Sequence, residues 1–186
     1  VESQATIPVG AETIVDMYPM DFEEWLWANG IASNIFDYLK KSLLDETPIA
    51  ASIHERLRQL LLEYIVVGGM PEAVKTFFAT HDMNQVAQVQ RHILNGYRDD
   101  MIKYARAEDK PRIRECFDSI PRQLSRDNKK FTYSLVRKGG RSKEYISCLQ
   151  WIEDAGIIRR CYNLLMPELP LSGNAIQECF KVYMAD

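Results

Sequence analysis

Residues 142–184 read SKEYISCLQWIEDAGIIRRCYNLLMPELPLSGNAIQECFKVYM, and their order decides the fold class. Tyr145, Cys148, Leu149 and Ile152 fall at i, i+3, i+4 and i+7, the spacing of one helix face, with Ser142 as the expected cap. Ala155-Gly156 ends that helix. Ile157 to Leu165 and Ile176 to Met184 are rich in β-branched and aromatic residues and read as strands. The Pro- and Gly-bearing stretch 167–174 is the turn between them. A helix followed by a hairpin is the second half of a winged-helix order.

Upstream of this unit the pattern agrees. Pro111 opens a helix of about 15 residues with Ile113, Cys116, Phe117 and Ile120 inward, ahead of Pro121-Arg122-Gln123-Leu124. Ser125 to Lys130 is a polar connector, and Phe131 to Val136 is a short element whose type periodicity leaves open. Gly139-Gly140 breaks it. Residues 107–186 are thus expected to form a winged-helix-like domain with a small β-hairpin.

Residues 21–106 carry the helical period almost without interruption. Asp21 and Glu24 have capping-box spacing ahead of Phe22, Trp25 and Leu26. A second helix is expected from Ile31 to Leu44, with Ile35, Leu39 and Leu43 on one stripe. A third starts at Thr47-Pro48 and carries Ile49, Ile53, Leu57, Leu60, Leu61, Tyr64 and Ile65. Gly68-Gly69 stops it, and Pro71 begins a fourth. Asp82 caps a long fifth helix that reaches about Ala105. Trp25 and Trp151 fit core stripes or their edges, and Trp27 does not. Residues 1–20 read as an extended arm with a short strand near Thr13 to Tyr18. The expected fold is therefore mainly α: an arm, a helical bundle and a winged-helix-like domain.

Composition narrows the function. The chain has 186 residues, 46% hydrophobic and 26% charged, as an ordinary globular protein does. No run approaches the ~20 apolar residues of a membrane span. The four cysteines lie 32, 13 and 18 residues apart, which fits neither a zinc site nor a dense disulfide framework. Reduced thiols in a cytoplasmic protein fit better. The net charge of −3 hides polarity: residues 1–97 carry −7 and residues 98–160 carry +6. Lys129, Lys130, Arg137, Lys138, Arg141 and Lys143 are the candidate nucleic-acid contacts, since clustered cations attract phosphate backbones. A solvated basic surface explains the same residues equally well. The following helix would present Lys143, Glu144, Ser147, Gln150, Glu153 and Asp154. Its acids oppose phosphate, so any binding should be weak and blind to sequence.

Catalytic signatures are missing. The sequence has no GxxxxGK[ST], no GxGxxG and no HExxH, and His54, His81 and His92 have no matching ligand partners. Asp99 and Asp100 are adjacent, so on a helix they diverge by about 100°. Nothing nominates a catalytic residue or a metal site.

Five segments in this order, YPMDFEEWL (18–26), YIVVGGMPEAV (64–74), VQRHILNGYRDDMIKYA (89–105), IPRQLSRDNKKFTYS (120–134) and YISCLQWIEDAGIIRR (145–160), resemble a known family. They are similar to the region after the nucleotide-binding core in prokaryotic AAA-type, signal-transducing-like ATPases that end in a C-terminal domain of unknown function. The resemblance implies a P-loop domain before this stretch and a further domain after it, with ATP and Mg²⁺ bound by the whole parent. It implies no cofactor held by these residues alone, because Walker A and Walker B are missing here. Gly69, Met70 and Pro71 resemble the Gly-x-Pro turn that leans on the bound nucleotide, and they would do so only beside that core. A break in a helix is the plainer account of the same Gly-Gly-Met-Pro. The implied partners are those two domains of the same chain and another protein. A free-standing nucleic-acid-binding regulator is the rival.

Overall fold

The computed structural model describes residue 15 and residues 17–186. Most of the expected strand at 13–18 lies outside these residues, and residues 17–20 are irregular. Seven α-helices and one two-stranded sheet follow among the described residues. They are α1 (Phe22–Ala28), α2 (Ser33–Leu44), α3 (Ala51–Val67), α4 (Pro71–Thr80), α5 (Met83–Tyr104), α6 (Lys110–Leu124) and α7 (Ser142–Asp154). The strands β1 (Ile158–Leu164) and β2 (Ala175–Met184) pair antiparallel. The chain is mainly α with a small C-terminal hairpin.

Local sequence accounts for several boundaries. The Glu24 N–H donates to the Asp21 carboxylate at 2.9 Å, and the Asp21 N–H donates to the Glu24 carboxylate at 2.9 Å, closing the capping box of α1. Asp82 accepts from the Asn84 N–H at 2.8 Å at the start of α5.

Other expected boundaries are corrected. The second helix starts at Ser33, two residues after Ile31. Thr47 does not cap α3. Its N–H donates to the Ser42 carbonyl at 2.9 Å, with Glu46 at φ 51, so Thr47 closes the end of α2. α3 begins at Ala51, and the Ala50 N–H finds the Tyr38 hydroxyl at 2.9 Å. Pro121 to Leu124 do not follow α6 but form its last turn. Ser142 is the first residue of α7 rather than its cap. Arg141 holds the cap position, and its N–H donates to the Glu144 carboxylate at 3.5 Å. The element at 131–136 is a 3₁₀ turn, Tyr133–Leu135.

Two cores form, and α5 serves both. Trp25 is fully buried in the first, with ring centroids 5.3 Å from Phe77, 5.2 Å from Phe78 and 5.9 Å from Tyr64. Leu26, Leu60, Val67, Val74 and, from α5, Val86 complete it. The second core joins Met101 and Ala105, at the end of α5, to Ile113, Phe117 and Ile120 of α6. Tyr145, Leu149 and Ile152 of α7, with Ile158, Phe180 and Val182 of the hairpin, close it. The 22 residues of α5 span about 33 Å, so one rigid rod enters both cores. The expected division at 106 falls just after this shared helix.

The hairpin register runs from Ile158 opposite Met184 to Tyr162 opposite Phe180, then shifts so that Asn163 faces Ile176. Gln177, Glu178 and Cys179 form the resulting bulge, which bends the strand toward its loop. Phe131 docks on β2: its N–H donates to the Phe180 carbonyl at 2.9 Å, and the two rings stack at 5.9 Å.

Two expected stripes turn inward only in part, with Ile35 and Leu39 of the first half-buried. Leu43 in α2 is 80% exposed, and in α3 Leu61 and Ile65 lie on the exposed side with Leu62 and Val66. Of the α3 face only Leu60, with Tyr64, Ile53 and Leu57 in part, turns inward. Trp27 is exposed, as its position off the face of Phe22 and Leu26 requires.

The thiols separate by environment. Cys116 and Cys148 are buried between α6 and α7, and burial raises both thiol pKa values. Cys161 is exposed on β1. A disulfide-exchange reagent such as Ellman's should therefore modify Cys161 first and reach Cys116 and Cys148 only on unfolding. Fast loss of all thiols from the folded chain would contradict this packing.

Candidate functional site

The Gly68-Gly69-Met70-Pro71 turn lies where three parts of the chain meet. α3 ends at Gly68, whose φ of 78 favours glycine and whose N–H donates to the Tyr64 carbonyl at 2.7 Å. Gly69 is buried and hydrogen-bonded through both of its backbone groups. Its carbonyl accepts from the Met20 N–H at 2.8 Å, and its N–H donates to the Asp186 carboxylate at 2.6 Å. A side chain at Gly69 would strike the Met20 carbonyl. That carbonyl also accepts from the Tyr64 hydroxyl at 2.8 Å. Burial first, then the nearby carboxylates of Asp186, Asp21 and Glu24, raise the Tyr64 pKa, so the hydroxyl remains a donor at neutral pH. Just upstream, the Arg159 guanidinium of β1 lies 4.5 Å above the Tyr18 ring. The turn thus ties the segment before α1, the α3–α4 junction and the end of β2 together.

Of the three residues with expected nucleotide contacts, Pro71 is exposed at the start of α4 and Met70 is half-buried. The backbone groups of Gly69 are already engaged within the chain. A carboxylate of the chain itself sits on the amide that a phosphate would need, so Gly69 fits a structural pivot better than a nucleotide contact. Beside the turn, an apolar cleft of about 280 Å³ lies between α3, α5 and the end of β2, lined by Ile65, Val66, Ile93, Leu94, Tyr97 and Met184 among others.

The six candidate nucleic-acid contacts are all exposed, and they border different surface features. Lys130 borders the outer side of the hairpin with Lys181 and Asn163. Arg137 lies 3.9 Å from Glu115, which accepts from the Tyr145 hydroxyl at 2.8 Å. Burial and that bond push the Tyr145 pKa up to about 12. Arg141 and Lys143 sit at the start of α7. Lys138 belongs to a cleft with Arg122 and Arg126, which belong to the same basic stretch, residues 122–143, of the sequence.

Contrary to expectation, Glu153 does not belong to the outward face of α7. It turns back to pair with Arg160, accepting from the Arg160 N–H at 3.1 Å and Nε at 2.6 Å. The Arg160 guanidinium also donates to the Gln150 side chain. The outward residues are Lys143, Glu144, Ser147, Gln150 and Asp154, with Ile146 exposed among them. The loop joining the strands exposes Leu165, Met166, Leu169 and Leu171, and its only charge is Glu168.

Gly69→Ala forces a Cβ against backbone and should cost about 1–3 kcal/mol, read by denaturant unfolding. Gly139→Ala, at a positive φ with open space around it, should cost less. Equal losses would remove the special status of the turn.

No curated protein and no solved structure matches the chain. A family model described as Domain of unknown function (DUF8612) matches residues 58–186, from the middle of α3 through the hairpin. The chain belongs to that family.

Proposed function

We propose that this chain is the region that follows the nucleotide-binding core of an AAA-type ATPase and couples nucleotide state to a partner. The observation that carries this reading is the Gly69 junction. The segment that would lead in from the core ends at Met20, and Met20 is hydrogen-bonded to the same glycine that Asp186 holds. A displacement of the leading segment therefore pulls on the end of β2 and on the start of α4 together. Pro71 and Met70 offer the surface that would face a neighbouring core. The chain's own residues do not fit a complete ATP and Mg²⁺ site, since Gly69 is engaged and no Walker motif is present. Nucleotide binding would fall to the parent's P-loop domain. Among the described residues no helix is long and apolar enough to cross a membrane, and the free thiols support a cytoplasmic setting.

A winged-helix reading of α6 to β2 rests on the order helix, 3₁₀ turn, helix and hairpin, with Phe131 bonded to β2. The cations on the turn side favour nucleic acid as a second reading. The carboxylates Glu144 and Asp154 on the outer face of α7, and the apolar loop tip with Glu168 as its one charge, favour a protein partner instead.

The chain alone should give no ATP-binding heat by calorimetry, and the gene upstream of the Val1 codon should encode a Walker A motif in frame. Stoichiometric micromolar ATP binding by the chain, or an upstream frame without that motif, would overturn the reading.

A further inference from the structure

The end of α6 and the following 3₁₀ turn enclose a cleft of about 620 Å³ lined by Arg122, Ser125, Arg126, Ser134, Leu135 and Lys138, among others. Three cationic residues line it, and no carboxylate does. The acids of α6 are occupied elsewhere. Glu115 serves Tyr145 and Arg137, and Asp118 pairs with Arg98 at 3.1 Å and Arg114 at 3.8 Å. Among the described residues, no carboxylate lies within ion-pair distance of Arg122, Arg126 or Lys138.

The cleft is also organised. Arg122 is held across it, donating to the Leu135 carbonyl at 3.1 Å. The Ser125 hydroxyl donates to the Arg122 carbonyl at 2.9 Å, satisfying one acceptor at the helix end that would otherwise repel an anion. Ser134 adds a second hydroxyl to the lining. Arg122 lies in the last turn of α6 and Arg126 just beyond its end, both lining the cleft, and two guanidinium groups on one cleft suit a tetrahedral oxyanion with several acceptor oxygens. A bound dianion would relieve the mutual repulsion of the three cations.

We propose that this cleft is a phosphate-binding site in which Arg122, Arg126 and Lys138 hold one phosphate group, taken from the backbone of duplex nucleic acid. The same chemistry would accept a free polyphosphate. The proposal deepens the second reading above, because it supplies a backbone contact in a cleft that no carboxylate of α7 lines.

The test compares the wild-type chain with Arg126→Glu/Lys138→Glu, which leaves the structural Arg122 in place, and with Lys129→Ala/Lys130→Ala, whose sites lie outside the cleft. Circular dichroism confirms that each is folded. Binding of a short fluorescein-labelled duplex is followed by anisotropy at about 50 and about 200 mM salt, and binding of sodium pyrophosphate by calorimetry. The expected result is a salt-sensitive duplex affinity that falls at least about tenfold in the cleft variant and by less in the Lys129/Lys130 variant. Pyrophosphate binding that the cleft variant loses, without duplex binding, would support the phosphate site and overturn the nucleic-acid reading. Duplex binding untouched by the cleft variant would overturn the site and leave the nucleic-acid reading standing. A folded wild-type chain that binds neither probe would overturn the site.

Discussion

The backbone of Gly69 is the constraint on which the arrangement turns. Its carbonyl takes the Met20 N–H and its N–H is taken by Asp186, two bonds from one residue to points 49 residues before and 117 after it. Only glycine allows the Met20 carbonyl to approach this closely. The bond to a charged acceptor is the stronger kind, and it is only part-buried, so solvent weakens it less than free exposure would. The Tyr64 hydroxyl, and Arg159 through the Tyr18 ring, also hold the segment before α1.

The turn works alongside a second device, the length of α5. One end of that helix packs with Trp25 and Leu60 and the other with Phe117 and Ile152, so the two cores cannot rotate freely about a linker. A continuous helix and a pinned turn, on opposite sides of an apolar cleft, make the molecule a frame with two fixed points. The exposed leucines of α2 and α3, and the apolar hairpin loop, lie outside that frame.

Where capping and periodicity act within a few residues, the fold was legible. Asp21 with Glu24, Asp82, and the Tyr145–Cys148–Leu149–Ile152 stripe each led to the observed element, as did the hairpin. The failures share a cause, a distant partner that the local pattern does not contain. Thr47 looked like a cap for α3, but Ser42 claims its N–H and the Tyr38 hydroxyl takes the Ala50 amide. Pro121 looked like a stop, yet Ile120 and Gln123 on either side are buried. Gln123 accepts from the Thr132 N–H at 2.8 Å, which holds the last turn of α6 in place. Glu153 looked solvent-facing because nothing near it in sequence announced Arg160. At the candidate site, the Gly-Gly-Met-Pro motif was visible but its two bonds, to Met20 and Asp186, were not. Arg122, Arg126 and Lys138 were visible only as members of a long basic stretch.

A junction that couples three segments should open as one unit. Native-state hydrogen exchange read by NMR at the Gly69 and Met20 amides addresses this directly, in the wild-type chain and in Asp186→Ala, which removes the acceptor. Both amides should be protected in the wild type, and the substitution should speed both by a similar factor, because loss of one bond loosens the turn that supports the other. Exchange at Gly69 that accelerates alone, with Met20 unchanged, would contradict the coupling.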